Sequence, residues 1–368
     1  METPTAAIRS RFPQCSIAYA VRLALRLAAV CGLLALTTAC HTGRFYWQAL
    51  QGQSDILVRQ LAVAQMTNSP TVPDSLKRQL QQVQQLTDFA DRCLRLPSGG
   101  TYRKYANLGR PYVVWNVFAA DEFSVEAKTW WYPLVGRLKY QGYFQESRAR
   151  EYSGKLKAQG LDVSIGPVKA YSTLGWLRDP VLNTWVNDRD TELAELIFHE
   201  LTHRKLFISG DTDFNEAFAT ATSRICVRMW LEAMGQVLEL ELYTQRQQDD
   251  ERFRRAVQAS RKDLAALYAT LRKPEGNDAR KIEDQVQVTR DQKRRIMEAL
   301  QREFPAEFRH LPNNARLAQI DTYERYVPAF ERLHQASAGN LDVYFEAVRD
   351  IGKTPKPKRF ETLERLTR

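Results

Sequence analysis

The sequence predicts a predominantly helical α+β fold, with a small mixed sheet followed by a helical C-terminal part. Three observations lead there. Apolar residues recur at helical spacing between Arg44 and Leu94, and β-branched and aromatic residues cluster in short runs between Tyr112 and Ser172. From Asp190 onward nearly every segment returns to helical periodicity. A chain of 368 residues with 44% hydrophobic content can bury a core in one large domain or two closely packed ones. Its 26% charged content is that of a globular rather than a disordered chain.

The first 39 residues have the layout of a signal peptide. Arg9, Arg11, Arg22 and Arg26 supply positive charge, an apolar run from Leu27 to Leu36 follows, and Thr37-Thr-Ala-Cys40 closes the segment. The run is too short for a comfortable membrane span and suits a signal h-region. The ending resembles a bacterial lipobox, which implies lipidation at Cys40, although Thr37 stands where that pattern usually has leucine. An uncleaved anchor or an ordinary signal peptide is the alternative, and the long leader leaves room for a start codon further downstream. His41 is not the aspartate that often retains lipoproteins at the inner membrane, which tilts the expectation toward the outer membrane.

Export sets the remaining expectations. A net charge of +10 would otherwise raise the question of nucleic acid; in an exported chain it fits anionic lipid head groups or a solvated surface, and no nucleic-acid partner is expected. Of five cysteines, only Cys93 and Cys226 belong to the mature part beyond Cys40. An oxidising compartment permits a bond between them, and two buried thiols are equally compatible with the sequence.

Residues 40–189 read as N-terminal helices and an α+β region. One helix is expected over Arg44–Gln65 and, after a Pro/Thr/Ser break, another over Asp74–Leu94. Strands are expected over Tyr112–Phe118, Trp131–Tyr140 and Leu161–Ser172, with a helix over Gln145–Gln159 before the last. Residues 190–368 read as the helical catalytic region. Asp190 can cap a helix striped by Leu193, Leu196, Ile197 and Leu201; Gly210 ends it, and a second helix follows over Phe214–Met234. Tyr243–Gln301 is dense in charge and reads as a solvated helical hairpin broken near Lys273-Pro-Glu-Gly276. Helices over Leu317–Gln335 and Leu341–Arg349 precede a Lys/Pro-rich tail.

The decisive residues are His199-Glu-Leu-Thr-His203. Helical positions four apart lie one above the other, about 5–6 Å between Cβ atoms, so the two imidazoles can hold one zinc ion. Zinc acidifies water and polarises a carbonyl, and Glu200 is placed to act as the general base. The chain holds only five histidines, which makes this register a specific signal; His310 and His334 have no supporting local pattern. A catalytic zinc usually takes a third protein ligand. Glu216 is the leading candidate, because it opens a helix that a short loop folds back beside the first. Asp211 is the runner-up. Asp213 and Glu216 also have the spacing of a helix capping box, which would give Glu216 a structural role instead.

Several segments carry a resemblance together: Ala170-Tyr-Ser-Thr-Leu-Gly-Trp176, Asp179-Pro-Val-Leu-Asn-Thr184, Phe198-His-Glu-Leu-Thr-His203 and Gly210-Asp-Thr-Asp-Phe-Asn-Glu-Ala-Phe-Ala219. With Arg44–Gln53 and Arg110–Val117 they resemble the bacterial putative aminopeptidase family of zincin-type proteins. The resemblance covers most of the mature chain. It implies a zincin-like metallopeptidase fold with a glutamate third ligand, as in gluzincins. Twelve residues separate His203 from Glu216, fewer than in better-known gluzincins.

The reading is therefore a zinc peptidase, with aminopeptidase activity implied by the resemblance alone. Asp179 and Glu122 are conceivable partners for a substrate α-ammonium. Tyr171 is a candidate oxyanion donor, with a packed strand aromatic as its alternative, and Val163–Ser172 is a candidate edge for an extended peptide. An endopeptidase acting on envelope proteins is one other reading. A non-catalytic envelope lipoprotein that binds through Tyr243–Gln301 is another, and Glu200 argues against it, because a binding-only site needs no general base.

Overall fold

The computed structural model describes residues 41–132, 136–170, 173, 177–271 and 279–367; Cys40, Tyr171 and Ser172 lie outside them. The chain divides into two compact units, 1–54 and 55–368. Helix α1 (His41–Val58) begins in the first, where Phe45 meets Tyr46 edge-on with ring centroids 5.6 Å apart. It does not run on to Gln65 as expected. Leu61–Ala62 forms a short strand β1, paired antiparallel with Tyr105 and Lys104, before α2 (Val63–Asn68). The break has a tertiary cause: the Val63 N–H donates to Arg103 O at 3.0 Å, so local helical preference gives way to strand pairing. In α3 (Asp74–Cys93) the residues Leu80, Val83, Leu86 and Ala90 are fully buried, the stripe its periodicity predicts.

Two three-stranded sheets follow. β2 (Lys104–Ala106) lies between β1 and β8 (Val181–Leu182), parallel to the latter. The second sheet has the order β6-β3-β7, all antiparallel, with β3 (Val114–Ala120) at its centre and buried along its whole length. β7 (Asp162–Val168) is an edge of this sheet and ends earlier than the Leu161–Ser172 run suggested. Pro167 lacks a backbone donor and is tolerated in an edge strand. The single strand expected over Trp131–Tyr140 is instead a hairpin, β4 (Trp130–Tyr132) with β5 (Gly136–Leu138), and β6 (Gln141–Tyr143) follows. Gly136 has φ +79°, a conformation that interrupts a strand and favours glycine. Helix α4 (Glu146–Ala158) lies where expected.

The rest is helical. α5 (Asp190–Lys205) packs along α6 (Thr212–Ala233), which is buried from Thr212 to Val227. α7 (Val237–Leu271) and α8 (Ala279–Glu303) form the charged hairpin, closed by Val257, Leu264, Tyr268, Met297 and Leu300. It is docked rather than solvated all round: Arg261 Nη1 donates to Val125 O at 2.6 Å, and Arg290 Nε reaches Glu122 at 2.7 Å. The helix expected over Leu317–Gln335 is two helices, α9 (Asn314–Glu324) and α10 (Val327–Ala336), divided where Pro328 cannot supply a helical N–H. After α11 (Leu341–Lys353), the Lys/Pro-rich segment is not a tail but helix α12 (Lys356–Thr367). There Leu363 is fully buried, and Phe360 stacks on Tyr326 at 5.7 Å. Proline in a first helical turn removes only a donor that would be unpaired anyway. Among the described residues no helix is long and apolar enough to cross a membrane. Cys93 is an exposed free thiol and Cys226 a buried one.

Candidate metal centre

Leu193, Ala194, Ile197, Phe198 and Leu201 pin α5 into the core, all fully buried. That leaves His199 and His203 on the side facing Glu216 of α6, with Glu200 beside them on the helix. Asp190 is the first helical residue rather than the cap; Arg189 takes the cap position, and its N–H donates to Glu192 Oε2 at 3.4 Å. Asp190 and Glu192 in the first turn, with Arg204 and Lys205 in the last, suit the helix dipole.

The return to α6 is short and tightly held. Asn215 binds Ile208 with both amide atoms, accepting from its N–H and donating to its C=O, each at 2.8 Å. Gly210 turns the chain at φ +76°. Asp211 is the N-cap of α6, accepting from the Phe214 N–H at 3.4 Å. The capping-box alternative for Asp213 and Glu216 therefore does not hold: the cap is Asp211, Asp213 pairs with Lys139 at 2.6 Å, and Glu216 lies beyond the first turn. Nor is Asp211 a free candidate ligand, since its carboxylate meets Arg359 Nη1 at 2.8 Å.

Glu216 instead points at the two histidines. Its Oε2 lies 3.4 Å from His199 Nε2 and 3.6 Å from His203 Nε2, and the two nitrogens are 3.2 Å apart. Among the described residues, these three are the group that could hold a metal ion. The triangle can be tested against zinc. Nitrogen and oxygen ligands at 2.0–2.1 Å in a tetrahedron are separated by about 3.3 Å. The observed edges bracket that value, so the donor set fits in both type and size.

The surroundings set the charges. Burial pushes the Glu200 carboxyl up to about 7; His199 opposes this, while Glu216 and Asp179 add to it. Burial would raise Glu216 as well, but the imidazoles of His203 and His199 hold it down to about 2. Two tyrosines that local sequence did not single out feel the charges of these carboxylates. Burial raises the Tyr140 phenol far above its usual range, with the charges of Glu216 and Glu200 adding to the effect. Burial likewise raises Tyr102, assisted by Glu200 and Asp179. Tyr102 sits at φ +65°, unusual for a tyrosine, and is fixed there by its N–H to Asp179 O at 2.8 Å and by Gln84 Nε2 to its own carbonyl at 2.7 Å. Tyr140 follows β5, far along the chain from α5; no spacing pattern links the two.

Of the two candidate ammonium partners, Asp179 is buried beside the site and accepts from the Thr173 N–H at 3.1 Å. Glu122 is engaged with Arg290 on the helical hairpin instead. His310 is exposed, and His334 packs edge-on to Tyr344 at 5.5 Å; neither joins the cluster.

Residues 44–363 match a family model described as putative aminopeptidase. No curated protein and no solved structure matches the chain.

Proposed function

The chain belongs to the putative aminopeptidase family, and from that premise we propose that it is a zinc-dependent peptidase that removes residues from the amino termini of peptides. The observation that carries the reading is the triangle of His199, His203 and Glu216, whose edges match a tetrahedral zinc site, with Glu200 beside it. His199, His203 and Glu216 would hold the ion. Zinc bound there would supply Lewis acidity, making water more acidic and the scissile carbonyl more electrophilic.

The chain's own residues do the rest. Glu200, next to His199 on the same helix, takes a proton from the attacking water and returns it to the departing amine. Tyr140 is held in its protonated form, so its hydroxyl can donate to oxygen as negative charge develops. Tyr171, the candidate the sequence offered for that part, lies outside the described residues. Asp179, buried next to Glu200, is the group that would meet a substrate α-ammonium. β7, as a sheet edge, can pair with an extended peptide. Together these features support a zincin-like architecture. The leader and Cys40 support an exported, lipid-anchored protein facing the periplasm, with the outer membrane favoured by the residue after Cys40.

The test is incubation of the mature chain with a mixed-sequence peptide library, followed by mass spectrometry of the products. Sequential loss of amino-terminal residues, absent in Glu200→Gln, is expected. Internal cuts would replace the aminopeptidase reading with an endopeptidase one. No cleavage by the zinc-loaded wild type would refute catalysis.

A further inference from the structure

The loop that carries the third candidate ligand is gripped by the far end of the chain. Arg359 on α12 donates through Nη1 to Asp211 Oδ2 at 2.8 Å, with the two side chains only 7% and 2% exposed. Its Nη2 donates to Thr354 O at 3.0 Å, so one guanidinium bridges the α11–α12 corner and the N-terminus of α6. The same group lies over the Phe214 ring, 5.4 Å from its centroid. Nearby, Lys356 Nζ donates to Gly210 O at 3.1 Å, and Gly352 backs onto Ile208 and Phe214.

A helix cap alone does not need this arrangement. A neutral Asn or Ser caps as well, whereas a buried ion pair carries a large desolvation cost. What the pair adds is position. Asp211 caps α6 through Oδ1 and accepts a single Arg359 bond through Oδ2, so α6 cannot slide or rotate without breaking a buried charge contact. Glu216 rides on α6 little more than a turn beyond that cap. A small shift there would move its carboxylate away from the two imidazoles.

We propose that Arg359 is a positioning residue for the metal centre: through its buried bond to Asp211, helix α12 holds the Glu216 carboxylate against His199 and His203. This rests on the zinc reading above, and the experiment separates the two.

Zinc affinity is measured by chelator competition on the mature chain, with the visible spectrum of the cobalt form and the melting temperature of the zinc-free form recorded alongside. Wild type tests the zinc reading; each variant against wild type tests Arg359. Arg359→Gln is expected to weaken zinc binding by about tenfold or more and to shift the cobalt bands. Arg359→Lys keeps the charge but not the fork and should fall between. Lys356→Ala, on an exposed side chain, should cost less than about fivefold. A folded Arg359→Gln within about twofold of wild type, with an unchanged cobalt spectrum, would overturn the proposal. If Arg359→Gln does not fold, Arg359→Lys decides: intermediate affinity supports the proposal, and wild-type affinity with an unshifted spectrum overturns it.

Discussion

Glu216 Oε2 lies 3.4 Å from His199 Nε2, a carboxylate on α6 facing an imidazole on α5 across a turn held by Asn215 and Ile208. If this contact marks a ligand set, Glu216→Gln should weaken zinc binding by more than the roughly 10–100-fold typical of losing an outer partner. Chelator competition reads this directly. Zinc held as tightly as in wild type would assign Glu216 a structural role only.

Glu200 has a different task, and its variant should behave differently. Glu200→Gln is nearly isosteric and removes the base, so turnover should fall by about 10²–10⁴-fold while zinc content stays at the wild-type level. Loss of both together would mean that Glu200 supports the site rather than the reaction.

Tyr140 stands where Glu216 and Glu200 both act on its phenol. Tyr140→Phe should lower kcat by about 10²-fold with little change in KM, as expected of a donor used mainly in the transition state. Unaltered kcat would leave Tyr140 as a packing partner of Phe118, whose ring centroid lies 5.5 Å away.

Gly136 combines φ +79° with a close approach: an added Cβ would come within 2.8 Å of Gly210 Cα. Gly136→Ala should therefore destabilise the fold by about 1–3 kcal/mol, read as a shift of the urea midpoint. A midpoint equal to wild type would show that the hairpin and the turn before α6 do not constrain each other.

The thiols offer a chemical check on packing. Burial raises the Cys226 thiol far above its usual range, while Cys93 is exposed. In a chain starting after Cys40, a thiol reagent should modify Cys93 rapidly and Cys226 only in denaturant. Neither thiol reacting before reduction would reveal a disulfide.

Much of the helical frame is legible in the sequence because its cause is local. The stripe of Leu193, Ile197 and Leu201 orients α5, and spacing four apart puts His199 and His203 on one face. What was not legible depends on distant partners. Spacing left Glu216 between ligand and cap; the Phe214 N–H bonded to Asp211 shows which residue is the cap, and the two imidazoles on another helix show where Glu216 points. Tyr140 arrives at the carboxylates from the end of a hairpin that read as one strand. The break after α1 answers to Arg103, and α12 forms because Leu363 and Phe360 find a core. Composition near Pro355 and Pro357 pointed the other way.

The central claim is most directly tested by measuring metal content and peptide hydrolysis on one preparation of the mature chain, before and after chelation. The account predicts one zinc per chain and release of amino-terminal residues, both lost on chelation and both restored by added zinc. A chain that holds no zinc after reconstitution, or that cleaves peptides equally well once stripped, would contradict it.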